Sequence, residues 1–207
     1  MRKLLDPFDA KLNMISREVS KSEISAEFVK SVVDDMQRIA LGDRDATHPD
    51  LPSLVGLAAP QIGELIRIIL IDINADPGKT NMTPKFTILI NPRIIKSSNT
   101  EILSREGCRS TGNICGAVYR AKLVTVVALN KSGEEFTYEP ANDFLSCILQ
   151  HEIDHLNGIR FPSRVRDKSQ LHLVEELDFQ NYRENWRTWD KLCPYSDWLK
   201  MFNGEKS

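Results

Sequence analysis

At 207 residues with 41% hydrophobic content, the chain can bury a substantial core and needs no disulfide staples. A net charge of −2 at pH 7 gives no cationic excess for sequence-specific nucleic-acid binding or an anionic membrane. No apolar run approaches the roughly 20 residues of a membrane span.

The opening stretch, MRKLLDPFDAKL, starts with two cations but lacks an apolar core of signal-peptide length. The chain therefore reads as a bacterial-type cytoplasmic protein or the mature form of an organellar one. Residues 25–41 predict a helix: Phe28, Val32, Met36 and Ile39 recur at three- and four-residue steps, and Gly42 is a plausible stop. DATHPDLPS, residues 45–53, is a polar loop that places His48 at the surface. LVGLAAPQIG follows at 54–63, then the Ile-rich strand 66–73, the loop 75–84 and a strand over 86–94. LVTVVALN, 123–130, and FTYEP flank a turn at Gly133 and read as a hairpin. ANDFLSCILQHEIDHLNG is a clear helix, with Asn142 placed to cap its start and Gly158 its end. A last helix is expected over about 169–187, with His172 exposed or half-buried on it, before an aromatic tail. Strands and helices are segregated, which predicts an α+β fold. In it, antiparallel strands pack around a central helix, with one helix before them and a closing helix behind. No boundary splits residues 1–207, so one catalytic domain is expected, with about 166–207 as its C-terminal helix and tail.

Within the central helix, His151 and His155 lie four apart with Glu152 between them. Residues at that spacing share a helix face. At about 100° per residue, Phe144, Ile148, His151 and His155 form one narrow stripe. Two core histidines would each need a polar partner in the interior. Two neutral imidazoles holding one divalent metal, with Glu152 beside the water it activates, account for the same residues. A catalytic site of this kind wants a third protein ligand. Two sources are open: Glu175 or Glu176 downstream, or Cys108 in REGCRSTG upstream, where a thiolate suits such a metal. Cys115 and Cys193 read as small buried residues or free thiols.

GLAAPQ at 56–61, EGCRS at 106–110 and HEIDHLNG at 151–158 resemble, in order and separation, the three signature motifs of peptide deformylases. The resemblance covers about residues 1–165. It implies that Cys108, His151 and His155 are metal ligands and that Glu152 is general base and then acid. Gln61, through its side-chain amide, and Arg109, through its backbone N–H, would stabilise the oxyanion. It implies Fe(II) as the ion, with Zn, Ni or Co able to substitute, and hydrolysis of the N-formyl group from the starting methionine of nascent peptides. The ribosome near its exit tunnel is the implied partner. By motif position, Val55, Phe144, Cys147 and Ile148 would surround the methionine side chain, and Gly56 would give room for strand-like pairing of the substrate with 54–56. Asp154 would support the site or cap the helix. The chain departs from the pattern at Leu54, where the family has glycine, and a narrower cleft or a redirected chain would follow. It departs again at Arg109, whose cation near the mouth would attract acidic substrate residues or carboxylates, or else be a solvated arginine without a role, and at GNICG, 112–116. Two other readings remain from the residues alone. One is a zinc endopeptidase using Glu175 or Glu176; the other is a non-catalytic paralogue that binds formylated or acidic peptides.

Overall fold

A computed structural model describes residues 1–42, 53–79 and 82–205. His48 and most of the 45–53 segment lie outside the described residues. A short helix, α1 (Lys21–Ile24), leads into α2 (Glu27–Ala40). Val29, Val32, Val33, Met36 and Ala40 form the buried face of α2, whereas Phe28 is 45% exposed. The apolar stripe is therefore turned by one position from the expected one.

Eight strands follow: β1 (Gly56–Ala58), β2 (Ile68–Asp72), β3 (Phe86–Ser97), β4 (Glu101–Gly107), β5 (Ile114–Ala121), β6 (Val124–Leu129), β7 (Glu135–Tyr138) and β8 (Leu171–Leu173). They form two sheets, β1-β2-β3-β6-β7 and β4-β5-β8, and every pairing within them is antiparallel. The central helix α3 (Asp143–Leu156) packs against β1, β2 and β5, and so lies between the sheets.

β2 shows why this arrangement holds. Successive strand side chains point to opposite faces. Ile68 and Leu70 join the α2 cluster, while Ile69 and Ile71 join the cluster around Leu145, Leu149 and Ile153 of α3. All four are fully buried, each contributing about 1.5–3 kcal/mol of hydrophobic stabilisation. A continuous apolar run is what a strand covered on both faces requires. Leu54 packs into the α2 cluster as well, and its N–H donates to the Ala40 carbonyl. Leu54 is thus partly buried against the core beside α2.

The C-terminal region departs from the single expected helix. Residues 171–173 form β8 on the edge of β5. The helix itself, α4 (Phe179–Asn185), is seven residues long, and α5 (Tyr195–Asn203) closes the chain. His172, expected on a helix surface, is 3% exposed in β8, with Nδ1 3.0 Å from the Tyr182 hydroxyl. Arg160 ties this region to the rest. Its guanidinium is fully buried, lies 4.6 Å over the Trp198 ring and donates to the carbonyls of Pro7 and Ser110.

The Asn142 side chain accepts the Leu145 N–H at 2.8 Å and so caps α3, and Gly158 follows the helix in the left-handed conformation (φ 69°). Removing the cap with Asn142→Ala should lower stability by about 1 kcal/mol, read as a lower urea midpoint. Asn142→Asp should retain most of the stability, because its carboxylate can accept the same N–H.

Candidate metal centre

Three elements converge on α3. The first, the 3-10 turn Ala59–Ile62 after β1, carries Gln61. That side chain is 4% exposed and held at both ends: Oε1 accepts the Ala58 N–H at 2.7 Å, and Nε2 reaches Ser110 Oγ at 3.1 Å and Cys108 Sγ at 3.3 Å. The second is the end of β4. Cys108 follows it in an extended conformation and caps the 3-10 turn Arg109–Thr111. The first N–H groups of such a turn have no partner within it, and that of Arg109 is one of these. The third is α3, which presents His151, Glu152 and His155.

Cys108, His151 and His155 each offer one ligand atom, all within 4.8 Å of one another. Cys108 Sγ is 3.3 Å from His155 Nε2. Sulfur and nitrogen ligands at tetrahedral angles on one ion lie about 3.3–3.6 Å apart, from their usual 2.0–2.3 Å bond lengths. Glu175 and Glu176 do not join the cluster: Glu175 Oε1 lies 3.4 Å from Asn113 Nδ2, and Glu176 faces Arg109 at 3.9 Å. The Arg109 and Glu176 side chains are largely exposed, 42% and 57%, so this is a weak, solvent-screened pair. A Cys-His-His set suits a first-row divalent ion.

Of the groups behind the ligands, sequence reasoning gave a supporting role to Asp154 alone. Glu106 and Cys108 are two apart on an extended chain, so both point to the α3 side. Glu106 Oε2 lies 2.7 Å from His151 Nδ1. This leaves Nε2 to face the other ligands and fixes the ring as a carboxylate usually does at a metal site. Arg120 on β5 donates to both Glu106 oxygens, at 2.8 and 3.0 Å, and to Asp154, which also accepts from Arg164. The i, i+2 alternation from Cys108 would have pointed to Glu106; nothing in the sequence pattern points to Arg164.

The electrostatics follow from these contacts. Burial opposes charge on Glu106, but Arg120 and His151 outweigh it and hold the carboxyl down at about 2. Burial likewise opposes the Cys108 thiolate, and the two imidazoles hold the thiol well below its ordinary value. Glu152 goes the other way. It is 4% exposed, burial pushes its carboxyl up to about 7, and Oε2 has no partner among the described residues. The carboxylate also explains Gly56. A Cβ there would sit 2.4 Å from Glu152 Oε1 and 2.9 Å from Ile148 Cγ2, so the space this glycine leaves is filled by Glu152 and Ile148. Of the residues expected around the methionine, Cys147 and Ile148 are buried on α3 and Val55 is 42% exposed. Phe144 packs, partly buried, against the α3 core.

The family model described as polypeptide deformylase matches residues 1–171. The peptide deformylase of Chloroflexus aurantiacus is 42% identical over 134 residues, 61% of this chain and 71% of that protein. That of Acetivibrio thermocellus is 36% identical over 174 residues, 84% of this chain and 88% of that protein. The structure of a class I type b peptide deformylase from Acinetobacter baumannii with Met-Ala-Ser bound aligns with a TM-score of 0.68 at 29% identity, covering 79% of this chain and 98% of that one.

A carboxyl depressed on folding contributes stability that is complete above its unfolded value and fades as pH falls towards its folded one. Glu106 drops from an ordinary 4.5 to about 2. Its contribution to the metal-free protein, about 3 kcal/mol, should therefore disappear between about pH 5 and pH 2. Glu106→Gln should remove that part of the pH dependence in urea unfolding; equal slopes in variant and wild type would refute the assignment.

Proposed function

The chain belongs to the polypeptide deformylase family, and from that premise we propose how its residues remove the N-formyl group from the starting methionine of new polypeptides. Cys108, His151 and His155 would hold one divalent ion, Fe(II) in the cell, with Zn, Ni or Co able to replace it. Such an ion, when bound, polarises the formyl group and makes water acidic enough to act as a nucleophile near neutral pH.

One observation carries the assignment of the base: a buried carboxyl, Glu152, whose second oxygen has no partner among the described residues, beside the Cys-His-His cluster. Burial raises the Glu152 carboxyl to about 7 in the metal-free protein; beside the ion, Glu152 would take a proton from the attacking water and later return it to the leaving amine. Gln61 Nε2, now spent on Cys108 Sγ, would turn to the oxygen that gains charge as the formyl carbon becomes tetrahedral. The Arg109 N–H would be the second donor. Loss of one donor of this kind raises the barrier by about 3 kcal/mol. The methionine side chain would lie against Cys147, Ile148 and Phe144, with Val55 at the rim, and the substrate backbone would run beside β1 as an added strand. A solved relative that holds Met-Ala-Ser, a peptide beginning with methionine, supports a reading with the methionine at the chain's head.

Residues 1–207 act as one catalytic unit in this reading, working on chains as they leave the ribosome. Among the described residues no helix is long and apolar enough to cross a membrane. The proposed place of action is the cytoplasm of a bacterium or the interior of an organelle that translates in the bacterial manner.

Formate release from formyl-Met-Ala-Ser by protein purified under nitrogen tests the whole. Glu152→Ala should keep its metal and lose at least about a hundredfold in kcat. Cys108→Ser should lose metal by elemental analysis. A Cys108→Ser protein with full metal content would overturn the ligand set, and iron-free active protein from iron-replete cells would overturn Fe(II).

A further inference from the structure

We propose that the Phe179 ring forms an apolar subsite wall for the residue that follows the formyl-methionine. This rests on the deformylase reading and goes beyond it, because Phe179 lies past the 1–171 range that matches the family.

β4 is the edge of its sheet and pairs with β5 alone, and β1 is the edge of the other sheet. The metal cluster lies between them: Cys108 directly follows β4, and Glu152 fills the space beside Gly56 of β1. A peptide entering as an extended strand would therefore run between the two edges, with β1 on one side and β4 on the other. Strand side chains alternate. Glu106 and Cys108 face α3, and that is also the side of Cys147 and Ile148, towards which the methionine would point. The next substrate residue then faces the opposite side, the one to which Gly107 belongs.

On that side Gly107 has no side chain of its own, and a ring stands in for one. A Cβ on Gly107 would lie 2.9 Å from Cys115 Sγ, 3.2 Å from Phe179 Cζ and 3.8 Å from its Cε2. Directly opposed residues in a sheet have Cβ atoms about 4.5–5.5 Å apart, so the substrate residue beside Gly107 would meet the Phe179 ring. Phe179 is 39% exposed, a large apolar side chain with surface left to bury. The segment is fixed in place. Val174 N–H donates to the Asn113 carbonyl, β8 pairs with β5, and Tyr182 and Trp186 of the next turns pack with Cys115 behind Gly107.

The experiment compares kcat/KM for formyl-Met-Leu-Ser and formyl-Met-Gly-Ser. Wild type should favour leucine about three- to tenfold, the lower end of what a few methylenes deliver against an open apolar wall. Phe179→Ala should bring the ratio towards one through a raised KM for the leucine peptide. Leu177→Ser, a control at a position 98% exposed and so clear of the ring, should leave the ratio unchanged. Equal rates for the two peptides in wild type, a ratio that Phe179→Ala does not move, or one that Leu177→Ser moves as much, would overturn the subsite while the deformylase reading stands. Absence of formate from both peptides with metal-loaded protein would overturn that reading and the subsite with it.

Discussion

The buried ion network around Arg120 is the constraint on which the site depends. One guanidinium, 4% exposed, bridges Glu106 of β4 and Asp154 of α3, and Glu106 in turn fixes His151. Arg120 itself stands on β5, so a single side chain sets the register between the hairpin that ends in Cys108 and the helix that carries both histidines. Desolvating these charges is expensive, and a buried ion pair adds little net stability compared with well-packed apolar residues. What it does supply here is a defined geometry: removing any one partner strands a charge in the interior, so alternative packings of β4 against α3 are disfavoured.

The apolar architecture makes that geometry rigid. β2 gives alternate side chains to two cores, one under α2 and one against α3. α3 is thereby fixed from the five-stranded sheet, while β5 contacts it from the other side. Interiors packed at crystal-like density transmit displacement. A histidine on α3 and a cysteine after β4 stay within ligand distance because both belong to walls that cannot move independently. Arg160 extends the same logic to the chain's end, gripping the Ser110 carbonyl beside the metal loop and the Trp198 ring in α5.

Legibility in the sequence followed the physics of each element. α3 was readable because a long amphipathic period, a capping Asn142 and two histidines at i, i+4 all agree. The β6–β7 hairpin was readable from its alternation and the turn at Gly133. The β4–β5 hairpin was not readable from pattern, because Glu106 and Arg120 look like solvent-facing residues until their partners are known. Charges that satisfy one another inside a protein carry no periodic signature. The stretch 169–187 misled for a different reason. A three-residue strand such as β8 is too short to show a period, and Glu175, Glu176 and Asp178 resemble a solvated helix face although they belong to a tight 3-10 turn. His172 followed the same error, its burial being set by β8 and Tyr182 rather than by its neighbours in sequence.

Two glutamates show how the fold divides chemical labour. Both are buried and lie near the same histidines. Glu106 meets a permanent cation in Arg120 and stays ionised, so it can only hold His151. Among the described residues Glu152 has no guanidinium beside it and one oxygen is left without a donor, and burial raises its affinity for a proton to the neutral range. Environments that push two carboxyls apart assign one to structure and one to proton transfer. Exchanging the roles would take more than exchanging residues: an arginine brought next to Glu152 would occupy its oxygens with donated N–H groups, as Arg120 does at Glu106, and leave none free to take up a proton. The spacing of Arg120, one strand away from Glu106 and out of reach of Glu152, is therefore as much a part of the site as the ligands themselves.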